Sequence, residues 1–345
     1  MFYSHRWIFL SILACLIYAG CGGSTASVSP EPPSASAPPA ALGRGTLAVF
    51  TSLGANYRIS IFPPNSDKSA REFSLGALAN SLAFDTRGHL YYGMNAGHNE
   101  YFVREVNVQS GKRLRSIDLR PSWSFSSVAT DDHNVLYVNT KSLVGGDVEL
   151  FRPEDGKPYL KIKDPLNPLT ILVARGSLWV GYQGALTDGL ARYNLRSTRQ
   201  TWFHNVANYL PTPVAVNPEG SLVAAKIRRN GKPTVAVYEV KSGRWTQIHE
   251  GDTQALASDD SGNLYIAQRE SRILQCTFRE CPHSFETNLK IVGLALSPLD
   301  GMLYVAADNA NGKPSGIYVY NPRTTSLVRS IPMGKELPSR IAIEP

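Results

Sequence analysis

Few stretches of this 345-residue chain carry side chains suited to acid–base, metal or redox chemistry. His98, Asn99 and Glu100 set an imidazole beside a carboxylate, the pair that a general base and its orienting partner would need; a hydrated loop has the same composition. Asp131-Asp132 and Asp259-Asp260 offer the oxygen donors of a Ca²⁺ site. Asp in a turn needs no metal, however, because its side chain hydrogen-bonds nearby backbone. His133 shares the Asp131 turn and reads as structural. The four cysteines, Cys15, Cys21, Cys276 and Cys281, fit neither a zinc site nor a disulfide-dense scaffold. There is no His-Glu-x-x-His, no Gly-x-Ser-x-Gly, no phosphate-cradling loop, no EF-hand spacing and no haem-attachment motif. The net charge of +7 is diffuse. Its densest cluster, Lys226, Arg228, Arg229 and Lys232, lacks the stacking aromatics of a nucleic-acid stripe, so no nucleic-acid partner is expected.

Whatever these residues do, one repeated unit must position them. Its clearest copy spans 256–267: an apolar strand ends in Asp259, passes through Ser261-Gly262-Asn263, and restarts with Leu264-Tyr265-Ile266. The same phrase runs through Asp85, Gly88 and Leu90, and through Asp300, Gly301 and Leu303. The leucine that opens the second strand recurs at Leu47, Leu90, Leu136, Leu178, Leu222, Leu264 and Leu303, at intervals of 43, 46, 42, 44, 42 and 39. An alternating strand follows in each unit, as in Ile59-Ser60-Ile61-Phe62 or Ile317-Tyr318-Val319-Tyr320, then a polar turn and a fourth short strand. Period-two alternation with Gly/Asp/Asn turns predicts antiparallel sheet. Four strands per unit of about 40–45 residues mark a β-propeller blade. The expected fold is therefore all-β: a seven-bladed propeller over 46–345. The first unit lacks a first strand, and the tail 337–345 reads as one with nothing after it. The tail is expected to close the ring as the innermost strand of the blade begun at Thr46.

Ahead of the repeats lie a short cationic start, His5-Arg6, and an apolar stretch over 7–17 that is too short to span a bilayer comfortably. Together they read as a secretory signal. Residues 22–45, rich in Ser, Ala and Pro, read as a semi-extended tether. Export permits oxidation. Cys276 and Cys281 flank a four-residue hairpin in the sixth unit, and a disulfide is expected between them.

Ala19-Gly20-Cys21 resembles a bacterial lipoprotein lipobox, with Tyr18 where Leu is usual. The resemblance implies that Cys21 is lipidated after removal of 1–21. With Gly22 following, it also implies an exported, lipid-anchored envelope protein, at the outer membrane of a diderm, facing periplasm or surface. The repeat phrase, Asp/Asn-x-x-Gly-x-Leu-Tyr-Val followed by Val/Ile-x-Val-Tyr, resembles NHL-type and YVTN-type bacterial propeller repeats. That superfamily holds protein-binding scaffolds, gluconolactonase-like hydrolases and streptogramin-lyase-like enzymes. Its hydrolases hold a metal with Glu, Asn and Asp side chains from different blades, and no such set can be matched here.

Function favours long loops on a rigid scaffold. The long loops join strands two and three, and together with the interblade entries they gather Asn56, Tyr57, Asn95, His98, Trp123, Tyr209, Arg228, Asp308 and Arg340. Trp123 and Tyr209 could stack on a sugar or peptide, or pack between blades. The leading expectation is a monomeric, non-catalytic scaffold without a cofactor that binds an envelope protein, peptide or glycan on this face. The alternative is a lactonase-like hydrolase or lyase with a divalent metal in the funnel, for which His98 and Glu100 are the candidate catalytic residues. A redox quinoprotein is a third reading.

Overall fold

Alternating apolar and polar residues give a strand two faces, and in a blade both faces are covered by neighbouring blades. The computed structural model describes residues 42–345 except 96–99, 120–123, 143–144, 165–166, 184–187, 198, 206–211, 230–231, 260, 270 and 309–313. They belong to one unit, Pro39–Pro345. Among them every regular element is a strand, and the strands form seven four-stranded antiparallel sheets. No helix among the described residues is long and apolar enough to cross a membrane.

The inner strands of blades 1 to 7 are Leu337–Ile343, Leu78–Phe84, Ser124–Thr130, Asn167–Ala174, Thr212–Val216, Thr253–Ser258 and Lys290–Leu296. Each touches the next around the ring, and the last returns to the first. The C-terminal strand pairs with Leu47–Leu53 from Leu47↔Ile343 to Ser52↔Leu337. Backbone bonds extend the pairing to the chain entry, with Gly45 N donating to Glu344 O at 2.9 Å and Glu344 N to Thr46 O at 2.9 Å. The expected closure is thus the one observed. It covers the edge that an open blade would expose.

The repeat leucines begin the second strand of each blade, and six of the seven are fully buried, Leu222 being partly so. The apolar core is divided among the seams between blades. Phe50 and Ile61 of blade 1 cluster with Leu90 and Tyr92 of blade 2. Tyr304 and Val319 of blade 7 cluster with Leu47 and Val49 of blade 1. The five remaining seams have clusters of the same kind. Turns between first and second strands are tight because a residue with positive φ reverses the chain, Gly88 at +75° in blade 2 and Asn134 at +63° in blade 3. The two ends of the ring therefore differ in their connections: turns between strands one and two and between three and four rim one, and the loops between strands two and three, with the interblade connections, rim the other. The expectation that the loops between strands two and three are the long set does not hold, because only two residues separate those strands in blades 1, 3 and 5.

Candidate functional site

The end rimmed by the loops between strands two and three is shaped by a defect repeated in every blade. Each inner strand slips register against the second strand at one place, seven times in all. The residues left over are Asn80, Ser126 with Ser127, Leu169, Val214, Gln254, Val292 and Ser339. A bulge leaves one residue unpaired and re-aims its neighbours. Several of the freed backbone groups are taken up across the blades. Ser127 N donates to Asn139 Oδ1 at 2.6 Å, Asn139 Nδ2 donates to Pro168 O at 3.2 Å, and Val128 N donates to Ser81 Oγ at 3.1 Å. Arg340 Nε reaches Asn80 O at 3.4 Å across the ring closure.

Two residues outward from each bulge, the second strand carries a polar residue: Ser52, Asn95, Lys141, Gln183, Lys226, Arg269 and Asp308. Six are placed by pairing register and Arg269 by its backbone bond to Asp252 O at 3.2 Å. Together they form a ring of seven polar residues at the mouth of the channel. Asp308 is paired with Lys290, and Arg269 with Asp252 at 3.3 Å. Lys141 and Lys226 are half-buried, and burial lowers the pKa of both ammonium groups, Asp252 partly offsetting this for Lys226. A cavity of about 240 Å³ opens beside the bulges of blades 5, 6, 7 and 1, where Lys226, Gln254 and Arg340 meet Val214, Val292 and Ile341.

Of the residues expected at this mouth, some lie among the described residues and others do not. Asn56, Asn95 and Arg228 are exposed at strand ends on this rim, and Glu100 is exposed beside it. Tyr57 stacks on Phe50 with centroids 6.0 Å apart. With Asn56 it edges a pocket of about 180 Å³, in which Arg58 bridges Glu72 at 2.8 Å and Glu336 at 3.3 Å. Arg340 lies on the closing strand and lines the channel cavity. His98, Asn99, Trp123, Tyr209 and Cys21 lie outside the described residues. Cys276 and Cys281 are joined at 2.04 Å.

Sequence reasoning singled out neither Lys141, Gln183 nor Arg269, and it took Lys226 as one member of a surface cluster. The available signal was a polar residue four or five positions after each repeat leucine.

The opposite end holds the densest charge cluster. Ligand atoms of Asp85, His89 and Glu105 lie within 4.8 Å of one another. Asp85 Oδ1 accepts from Arg87 N and His89 N, both at 2.9 Å. Its Oδ2 accepts from Arg87 Nη2 at 2.7 Å and Tyr91 Oη at 3.2 Å. Glu105 takes His89 Nδ1 at 2.8 Å and Arg115 Nε. Two carboxylates thus face two guanidinium groups, so the positive charge a cation would bring is already supplied. Asp131 and Asp259 are likewise bonded within their own turns, Oδ1 of each accepting backbone N–H groups at 2.9 and 2.7 Å respectively.

Two larger clefts at this end, about 930 Å³ between blades 5 and 6 and about 720 Å³ between blades 6 and 7, are lined by turn residues. Their polar atoms serve the turns: Asn217 Oδ1 accepts from Ser221 N and Leu222 N at 2.8 and 2.7 Å, and Asn263 Nδ2 donates to Asp259 at 2.6 Å. Size favours these clefts, and the repeated bulge with its polar ring distinguishes the mouth.

No family model and no curated protein matches the sequence. Among solved structures, the chain is similar to a chain of Kuenenia stuttgartiensis hydrazine synthase, with a TM-score of 0.61 and 15% identity over 74% of this chain and 90% of that one. At that identity the likeness concerns the propeller fold alone.

Proposed function

We propose that this chain is an envelope-tethered lipoprotein whose NHL- or YVTN-like propeller is a monomeric binding scaffold, taking a protein, peptide or glycan at the bulged mouth. The observation that carries this reading is the coincidence of two features at one end of the ring: the sevenfold bulge and the polar ring outside it. The donors there suit recognition better than metal catalysis. Apart from Asp308, held by Lys290, the polar ring consists of cations, amides and a hydroxyl, whereas a divalent cation calls for carboxylate oxygens. A binding site of this type needs a rigid frame with adaptable polar rims, and seven interlocked blades supply one.

The test is to probe glycan and peptide arrays with the full chain in detergent. Signals should fall at least tenfold in Arg228→Ala and Asn56→Ala, and stay unchanged in Glu280→Ala at the turn end. The same protein, analysed for bound divalent metal and assayed on a lactone panel, tests the hydrolase alternative. Stoichiometric metal with chelator-sensitive turnover would replace the scaffold reading. Processing at Cys21 is checked by mass spectrometry of the mature chain, which should carry acyl groups on that residue.

A further inference from the structure

Lys226, like Lys141, is set apart from the paired cations at the mouth. Those are matched: Lys290 by Asp308, Arg269 by Asp252, Lys232 by Glu250 at 2.9 Å, Arg58 by Glu72. Lys226 has no ion-pair partner among the described residues, yet it is half-buried on the second strand of blade 5. The carboxylate in electrostatic reach, Asp252, is engaged by Arg269 and by Gln254 Nε2 at 3.3 Å. Placing an ammonium in a half-buried wall without a counter-ion costs free energy unless something anionic returns it. Arg340 lines the same cavity. Its Nε reaches Asn80 O and its Nη1 donates to Ser339 O at 2.8 Å, which leaves Nη2 for another acceptor. No carboxylate among the described residues lines the cavity, and its remaining wall is largely apolar, with Val214, Leu256, Val292, Leu294 and Ile341.

Resting on the mouth as the binding site, we propose that this cavity is a subsite for an organic carboxylate, held between the Lys226 ammonium and the Arg340 guanidinium, with its hydrocarbon part against Val214, Val292 and Ile341. The donor count selects the head group. One ammonium and one unoccupied guanidinium nitrogen match the two oxygens of a carboxylate by charge-assisted bonds. Inorganic phosphate, with four oxygens and a larger cost of leaving water, suits a small and largely apolar cavity less well. The apolar wall selects an aliphatic body. The volume, about 240 Å³, is below the range of roughly 300–1,000 Å³ that holds whole drug-sized ligands. The subsite therefore takes a short branched acid, or the carboxyl-terminal end of a longer chain.

Calorimetry on the full chain in detergent tests this with five probes: isovalerate, isovaleramide, N-acetyl-Ala-Val, its C-terminal amide, and inorganic phosphate. Each acid should bind at least tenfold more tightly than its amide. Lys226→Met should remove that preference, and Lys226→Arg should retain most of it. The Met variant keeps the length and apolar stem of the side chain, so thermal melting should match the parent. Arg340→Met is the second variant, and it should weaken both acids without affecting the amides. Isovalerate binding as tightly as the peptide acid would assign the site to free acids; a peptide acid at least tenfold tighter would assign it to chain ends. Equal affinity for acid and amide, acid binding unchanged in Lys226→Met, tighter Lys226-dependent binding of phosphate, or no binding of any probe would each overturn the carboxylate subsite. If array ligands still bind at the mouth in Lys226→Met, the broader scaffold reading survives that failure; loss of array binding by the parent chain would remove both.

Discussion

Glu344 sits at the end of the closing strand, buried, with Oε2 lacking a hydrogen-bond partner among the described residues. Its Oε1 lies 3.2 Å from where a Cβ on Gly88 would stand, in the next blade's turn. Burial raises its pKa and Asp85 adds repulsion, while a hydrogen bond from Thr46 acts in the other direction. A carboxyl whose folded pKa exceeds its unfolded one contributes stability below the unfolded value and loses it as pH rises through the folded value. Glu344→Gln should therefore raise the urea midpoint at pH 7, and the gain should disappear near pH 4; an equal gain at both would refute the assignment. Gly88→Ala meets both the +75° φ and that carboxylate, and should cost about 1–2 kcal/mol by the same measurement. The Glu105 carboxylate, with a side-chain exposure of 3%, relies on Arg115. Arg115→Met leaves a buried charge with its partner removed and should cost roughly 3–5 kcal/mol. A cost under 1 kcal/mol would mean that His89 and Arg87 suffice.

At the level of the strand, the repeat was legible because burial on both faces demands a fixed phrase. A leucine opens the second strand, aromatic or β-branched residues follow, and the turn before them needs Asp or Asn to collect backbone N–H groups, as Asp85, Asp131, Asn217 and Asp259 do. The bulges were not legible. Asn80, Leu169, Val214, Gln254, Val292 and Ser339 share no chemistry, since a bulge depends on how the inner strand bends round the channel and not on the type of the extra residue. The polar ring was hidden for a related reason: a polar residue at a strand's end looks like the start of a loop. Leu178, fully buried in the seam between blades 3 and 4, tests the phrase itself. Leu178→Ala should cost about 2–5 kcal/mol by denaturant titration. The Cys276–Cys281 bridge constrains a very short loop. Replacing both cysteines by Ser should cost no more than about 2 kcal/mol and leave binding at the far end unchanged.

The ring as a whole depends on one strand more than on any other. Each seam between blades buries its own apolar cluster, and six of the seven seams join units that are consecutive in sequence. The seventh joins blade 7 to blade 1, whose innermost strand comes from the other end of the chain. The closing strand pairs with Leu47–Leu53, touches the inner strands of blades 7 and 2, and places Ile341 and Ile343 in the last seam. Without it blade 1 would keep three strands with an exposed edge, and the apolar cluster that includes Val49 and Tyr304 would open to water. Arg340 would also leave the channel mouth. Deleting 337–345 should therefore lower the melting midpoint by about 10 °C or more, since each 1 kcal/mol shifts a domain of a few hundred residues by roughly 2–4 °C. The transition should broaden as blades 1 and 7 separate before the rest. Deleting the same residues should also abolish any acid-over-amide preference, because the guanidinium is lost with the strand. A truncated chain that melts like the parent would show that the blades hold the ring without the closing strand, and the mouth would then have to be explained without it.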